Sequence, residues 1–348
     1  MNPIQTIFFT LCSNNYLGMA KTLGESVKTF HPEASFVIGL VDLMEPEIDY
    51  LSFPGDVIPA EDIGIEDWEK MQLNYSIIEL NTSVKPYFFR HFFKTRPQAQ
   101  IVVYLDPDTQ VFSPLTSVLP IPGKETGVLT PHTSDPIPLD GLYPDENLVL
   151  NHGIYNLGFF SLARSTEADL LIDWWAERMI DRCKIDLKNG MFTDQLYMNL
   201  APLFFGGLRI EKHNGLNVAF WNLHTRTISF SDGIWKSNDV PLLLYHFSGF
   251  VMKDESKISK GSTRFSFGNL PDLKLLFDQY RKALLLNSYE KYCSFTPWYV
   301  TFRENYLQAQ YKAKLKKHPV LLFVHYAKLL VPSRLLGKLT DKLRYSKY

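Results

Sequence analysis

The chain has 348 residues, 45% hydrophobic and 14% aromatic, enough to bury a large core as one domain or one domain with an extension. A formal net charge of −1 gives no global reason to expect a nucleic-acid partner. The charge is segregated, however: from Lys312 to Tyr348 ten Lys or Arg stand against Asp341 alone.

Cys12, Cys183 and Cys293 are odd in number and far apart, which argues for a reducing compartment and against a zinc site or a disulfide framework. The opening MNPIQTIFFTLCSNNY lacks the basic start of a signal peptide. No window approaches the roughly 20 apolar residues of a spanning helix. The chain therefore reads as cytoplasmic.

Residues 4–11 are a continuous apolar run, followed by a polar loop at 13–16 and by LGMAKTLGESVKTF, whose apolar positions recur every third or fourth residue. His31 and Pro32 end that helix and SFVIGLVD reads as a second buried strand, so the first 42 residues predict a βαβ unit and a parallel sheet. Residues 71–94 are expected to be helical, and IVVYL, 101–105, is a further strand rich in β-branched residues. The Pro- and Gly-rich stretch 114–144 is expected to be a long irregular excursion. After it come a strand at IYNLGFFSL, a helix from about Glu167 to Cys183, a short helix at TDQLYMNLAP and strands near Arg209 and Leu242. From Pro271 onward the pattern is mainly helical.

Strand 101–105 runs into Asp106-Pro107-Asp108. On extended backbone, carboxylates at i and i+2 point to one side, and two charges roughly 6 Å apart at an effective dielectric near 20 repel by about 3 kcal/mol. Such a pair wants a cation or a proton between its members, and oxygen ligands suit Mg²⁺ or Mn²⁺ better than zinc. One D-x-D in a chain of this length is unremarkable by chance; its place at a strand end, where open α/β sheets bind ligands, gives it weight. LLLYHFSGF, 242–250, repeats the design: an apolar strand ends in His246, with Gly249 allowing close backbone approach. Lys253 and Lys257 follow, and Lys85 is a further cation; together with a metal such groups suit a diphosphate. Asn217, Trp221 and Asn222, in GLNVAFWNL, combine amide and aromatic groups suited to a sugar, although aromatics at such spacing are more often core.

YLDPDT, the downstream HFSG followed by Lys253, the opening TLCSNNY before a helix ending in HP, and the pair NLGFFS and TDQ together resemble the GT-A-fold glycosyltransferases. The resemblance covers about residues 4–255 and is greatest to the retaining group that includes glycogenin and the bacterial lipopolysaccharide galactosyl- and glucosyltransferases. It implies an α/β, Rossmann-like nucleotide-sugar-binding domain with a mixed central sheet over 1–270, and a helical C-terminal extension over 271–348. It also implies that Asp106, Asp108 and His246 hold Mn²⁺ or Mg²⁺, that Asn15 and Tyr16 bind the nucleotide base, and that Lys253 contacts the diphosphate. Asp194 and Gln195 would lie near the anomeric carbon, and Asn156 where the donor sugar is contacted. The family's usual Lys-Pro-Trp ending after the HxxG motif is absent, so Lys257 is a second candidate for the phosphate contact, and Ser13 stands where the family often has an acid.

The expected activity is hexose transfer from a nucleotide-diphosphate sugar to a glycan or lipid-linked glycan in surface polysaccharide or lipopolysaccharide synthesis, with retention. An inverting enzyme using Asp194 as base, and a non-catalytic sugar-binding protein on the same fold, are the alternatives. The basic, Leu-rich tail reads as a helix lying on an anionic membrane surface, which would make the protein peripheral at the inner face of the membrane.

Overall fold

The computed structural model describes residues 5–317 except 269. Fourteen strands are present among them: β1 Gln5–Cys12, β2 Ser35–Leu40, β3 Asp56–Pro59, β4 Ala99–Leu105, β5 Thr109–Val111, β6 Gly127–Pro131, β7 Tyr155–Ala163, β8 Ile185–Asp186, β9 Met191–Phe192, β10 Leu208–Ile210, β11 Ile228–Ser231, β12 Ile234–Ser237, β13 Val240–Pro241 and β14 Leu244–His246. The α-helices are α1 Leu17–Phe30, α2 Trp68–Asn74, α3 Ile77–Ser83, α4 Lys85–Thr95, α5 Glu146–His152, α6 Thr166–Met179, α7 Ala201–Phe204, α8 Pro271–Leu286, α9 Tyr289–Cys293 and α10 Trp298–Lys317.

Seven strands form the central sheet in the order β10-β6-β7-β4-β1-β2-β3. β1 is parallel to β2 and β4, and β2 to β3, whereas β7 runs antiparallel to both β4 and β6. This is the mixed α/β sheet expected from the sequence, followed by helical structure. The chain leaves β1 toward β2 and β3 on one side and returns to β4 on the other. Strand order therefore reverses between β1 and β4, and at such a switch point the loops beyond the carboxyl ends part to leave a crevice.

Both faces of the sheet are covered, and the two-residue period of the strands sorts the side chains. From β1, Ile7, Phe9 and Leu11 join the core beneath α4 and α6, with Phe88, Phe89, Phe92 and Trp175. Phe8 and Cys12 point the other way, to Leu17, Leu23 and Val27 of α1. A third cluster sets Trp221, Trp235, Tyr245 and Phe247 against Leu276, Phe277 and Tyr280 of α8.

Several elements depart from the sequence reading. Residues 71–94 form three short helices, because Ser76 and Glu79 make a capping box that starts α3 and Pro86 occupies the first turn of α4, where its missing N–H costs nothing. The stretch 114–144 is not wholly irregular, since β6 lies within it and is buried between β7 and β10. The hairpin β11–β12 was not signalled by the sequence.

The chain divides into compact units at Met1–Tyr299 and Val300–Tyr348, so the first unit reaches past residue 270, the expected boundary. In the second, residues 300–317 are helical. Most of the basic tail, 318–348, on which the membrane-surface expectation rests, lies outside the described residues. Among the described residues no helix is long and apolar enough to cross a membrane.

Phe89 meets Phe9, Phe160 and Trp175 at ring-centroid distances of 5.0, 5.4 and 6.3 Å. Phe89→Ala is expected to lower unfolding free energy by about 3–5 kcal/mol, read from urea denaturation, because that many neighbours cannot collapse into the gap.

Candidate functional site

β4 delivers Asp106 to the switch point. Asp106, Pro107 and Asp108 are not extended: they form a turn closed by Thr109, whose N–H donates to the Asp106 carbonyl at 3.1 Å and whose hydroxyl donates to it at 2.7 Å. The turn, rather than strand pleating, brings the two carboxylates together. β5 then pairs antiparallel with β14, with Thr109 opposite His246, and the Phe247 N–H donates to the Asp108 carbonyl at 2.8 Å. His246 Nε2 lies 3.1 Å from Asp108 Oδ1 and 3.7 Å from Asp106 Oδ2. One ligand atom from each of the three lies within 4.8 Å of the others.

The electrostatics follow from burial and proximity. Burial, reinforced by the Asp108 carboxylate, raises the Asp106 pKa against the opposing pull of Lys85, His246 and the Tyr104 hydroxyl, which donates to Asp106 Oδ1 at 2.6 Å. Burial works to lower the pKa of His246, but Asp108 and then Asp106 outweigh it and the net shift is upward. With two carboxylates and one imidazole the donor set fits a hard divalent ion of the Mg²⁺ or Mn²⁺ kind.

The imidazole is oriented by a chain of amides that begins at a backbone group. The Gly158 N–H donates to Asn156 Oδ1 at 3.0 Å, which fixes the orientation of the Asn156 amide. Asn156 Oδ1 also accepts from Asn217 Nδ2 at 3.0 Å, and that same nitrogen donates to Thr130 Oγ1 at 3.0 Å. Asn217 Oδ1 therefore faces His246 Nδ1, at 3.3 Å, and requires a proton there. The lone pair of neutral His246 is left on Nε2, toward the carboxylates. Gly158 cannot be replaced cheaply, since a Cβ would stand 2.5 Å from the His246 ring and 2.7 Å from Asn156 Oδ1. Asn217 itself has a left-handed φ of 51°, which an Asn tolerates better than most residues.

Asn156, Asn217 and Asn222 thus spend their amides on the protein: Asn222 Nδ2 donates to the carbonyls of His132 and Asn217, and its Oδ1 accepts from Ala219 N–H. Trp221 is buried edge-on to His246 and His132, with centroids at 5.1 and 5.2 Å. His132, not signalled by the sequence, accepts from Asn156 Nδ2 at 3.3 Å, and burial drives its pKa down to about 4.

Lys85 is 1% exposed, and its ammonium forms an ion pair of 2.8 Å with Asp194, itself 2% exposed. The ammonium also lies 4.1 Å from the centre of the Tyr104 ring, so it stands behind the acid cluster. Thr193, a β-branched residue at φ 45°, precedes Asp194. Gln195 is held at both ends: Nε2 donates to the His152 carbonyl at 2.8 Å and Oε1 accepts from Leu157 N–H at 3.4 Å.

A cavity of about 390 Å³ opens beside the acids, with Asn15, Tyr16, Asn81, Asp106, Asp108 and Lys260 in its lining. Tyr16 is 46% exposed at its edge. Asn15 Oδ1 and Asn81 Oδ1 are buried acceptors without a hydrogen-bond partner among the described residues. The loop carrying Asn15 is anchored by the residues just after β2, where Asp42 accepts from Asn14 N–H at 3.2 Å and Asn14 Nδ2 donates to the Leu43 carbonyl at 2.8 Å. Lys253 and Lys257 are exposed and do not line this cavity, and Lys257 pairs with Asp254 at 3.4 Å. The cation that does line it is Lys260, which continues the Lys253 and Lys257 series but carries no distinguishing sequence signal.

Lys85→Met would leave the Asp194 carboxylate buried without a partner, a change expected to cost about 3–5 kcal/mol in urea denaturation. Replacing both members, Lys85→Met with Asp194→Leu, is expected to restore most of that loss, because no lone charge then remains buried.

No family model matches the chain. In sequence it is similar to two proteins of Bacillus subtilis (strain 168). One is the uncharacterized protein YfnD, 27% identical over 192 residues that cover 55% of this chain and 60% of YfnD. The other is the uncharacterized protein YfnF, 28% identical over 208 residues that cover 58% of this chain and 65% of YfnF. In both cases the match spans less than two thirds of the relative's own length. Among solved structures the chain is similar to galactosyltransferase LgtC in complex with donor and acceptor sugar analogues, at 18% identity and a TM-score of 0.48, over 78% of this chain and 96% of LgtC.

Proposed function

We propose that this protein is a metal-dependent glycosyltransferase that moves a hexose from a nucleotide-diphosphate sugar to a glycan or lipid-linked glycan. The observation that carries the reading is the meeting of Asp106, Asp108 and His246, from strands more than a hundred residues apart in sequence, at the switch point of the sheet and beside a ligand-sized cavity. Bound there, Mn²⁺ or Mg²⁺ would supply Lewis-acid stabilisation of the departing diphosphate.

The chain's own residues then have distinct tasks. Asp106 and Asp108 offer carboxylate ligands and His246 a neutral Nε2, with its other nitrogen held by Asn217. Tyr16 offers a ring face for the base, and the unpartnered oxygens of Asn15 and Asn81 accept hydrogen bonds from base or ribose. Lys260 is placed to balance phosphate charge from the cavity wall, with Lys253 and Lys257 on the same loop. Gln195, tied at both ends by His152 and Leu157, is assigned to the side of the anomeric carbon, and Asn156 acts through Asn217 on the metal-ligand histidine.

Retention is favoured over inversion because Asp194, the available carboxylate, is buried and held by the Lys85 ammonium at 2.8 Å rather than free to meet an attacking hydroxyl. A lipid-linked acceptor in surface polysaccharide or lipopolysaccharide synthesis, reached from the inner face of the membrane, completes the reading.

Release of nucleotide diphosphate from UDP- or GDP-hexoses with Mn²⁺ is the direct test, expected to fall at least a hundredfold in Asp108→Asn. Clear donor binding with no turnover of any donor would leave a sugar-nucleotide-binding protein instead. NMR of the fresh product is expected to show the donor's anomeric configuration.

The raised pKa of His246 sets a pH dependence. In the metal-free protein the protonated imidazole between two carboxylates contributes stability that is fully present below the unfolded value of about 6.5 and is lost as pH rises through the folded one. Mn²⁺ must displace that proton, so its affinity, measured calorimetrically, is expected to weaken about tenfold per pH unit below the folded pKa. Asn217→Ala is expected to weaken Mn²⁺ binding by about 10–100-fold, because the His246 ring then loses the acceptor for its Nδ1–H.

A further inference from the structure

A second cavity, of about 670 Å³, shares no lining residue with the one beside the acids. It is bounded by α1, by β5 and the residues after it, by the β11–β12 hairpin and by α8. Its volume is within the range that encloses a small organic ligand, about 300–1,000 Å³.

The chemistry of the lining narrows the ligand. Among the described residues no Lys, Arg or His contributes to its lining, and the one charged residue is Glu25, so an anion or phosphate would meet repulsion that none of these lining groups offsets. Phe230 and Trp235, with ring centroids 5.0 Å apart, supply an aromatic wall, and Phe230 is 44% exposed. The polar groups are amides, hydroxyls and that carboxylate. Trp235 Nε1 donates to Gln279 Oε1 at 3.1 Å, which leaves the Gln279 amide protons as donors. Glu25 Oε2 accepts from Asn287 Nδ2 at 2.7 Å. Gln110 Oε1 is buried and has no hydrogen-bond partner among the described residues. A purely apolar ligand would leave that oxygen unpaired, at a cost of about 1–3 kcal/mol, whereas a hydroxyl would satisfy it.

A ring face for C–H groups, acceptors for hydroxyls and the absence of cations fit one class. We propose that this cavity is a binding site for a neutral saccharide, separate from the donor site. The assignment does not depend on catalysis at Asp106 and Asp108, since a binding protein would retain it. Gln110 lies opposite Tyr245 in the β5–β14 ladder, one step from the pairing of Thr109 with His246, so an occupant would touch the strand pair that carries His246 and that follows directly on Asp108.

The test is saturation-transfer NMR and calorimetry on the full chain in EDTA, with maltotriose, lactose and chitobiose as probes and glucose 1-phosphate as the anionic control. At least one neutral probe is expected to bind at millimolar concentration or below, glucose 1-phosphate more weakly. Phe230→Ala and Gln110→Ala are each expected to reduce affinity by about threefold to tenfold. Asp106→Asn is expected to have no effect. Absence of binding by all three neutral probes would overturn the proposal. So would binding that is lost in Asp106→Asn but intact in Phe230→Ala, because the sugar would then be in the donor site. Phe230 is half-exposed, so its truncation keeps the test decisive even where Gln110→Ala fails to fold.

Discussion

Mutual repulsion between Asp106 and Asp108 is the constraint around which this part of the molecule is organised. Left in an open loop, two such side chains would diverge into water. Here the Thr109 turn fixes their spacing, the β5–β14 ladder holds His246 against them, and the Tyr104 hydroxyl holds one oxygen of Asp106. Below the folded pKa of His246 its protonated ring offsets part of the carboxylates' charge, and above it the pair keeps its own. These contacts keep two anionic groups and an imidazole close enough for a small divalent ion to be the natural complement, which is why the arrangement reads as a binding centre rather than a structural turn.

Behind this layer lies a second, fully buried one. Lys85 faces Asp194 on one side and the Tyr104 ring on the other, and Tyr104 in turn reaches Asp106. Replacing a buried ion pair with apolar groups of similar volume often costs little stability, so the pair is better explained by position than by energy. It keeps α4, which begins at Lys85, in register with the segment that carries Asp194 and Gln195. The strained φ of Thr193 just before them fits the same picture of a backbone held in place by its surroundings.

The amides form the third layer. Asn217 and Asn222 look like sugar-binding residues in sequence because an amide can both donate to and accept from hydroxyls, and the family resemblance implies the same task for Asn156. In the fold each is committed to a neighbour, and their joint effect is to fix the His246 ring and the proton on its Nδ1. Trp221 belongs to the same packing: its buried ring meets His246 edge-on and has no face open to a ligand. Groups free to meet a ligand lie elsewhere, in Asn15, Asn81, Tyr16 and Lys260.

Local sequence alone determined the strand ends and what they carry. The apolar runs before Asp106 and His246 specify buried strands, and hydrophobic periodicity is a property of adjacent residues. It placed the α/β class, the first βαβ unit and the three candidate ligands. Only the tertiary structure decided which cations and amides face a cavity and which are used up within the protein. Lys85 and Lys260 are alike as sequence; one is sealed against Asp194, 109 positions away, and the other lines the cavity. Burial and hydrogen-bond commitment depend on partners from distant segments, and those meet only when the whole sheet is assembled.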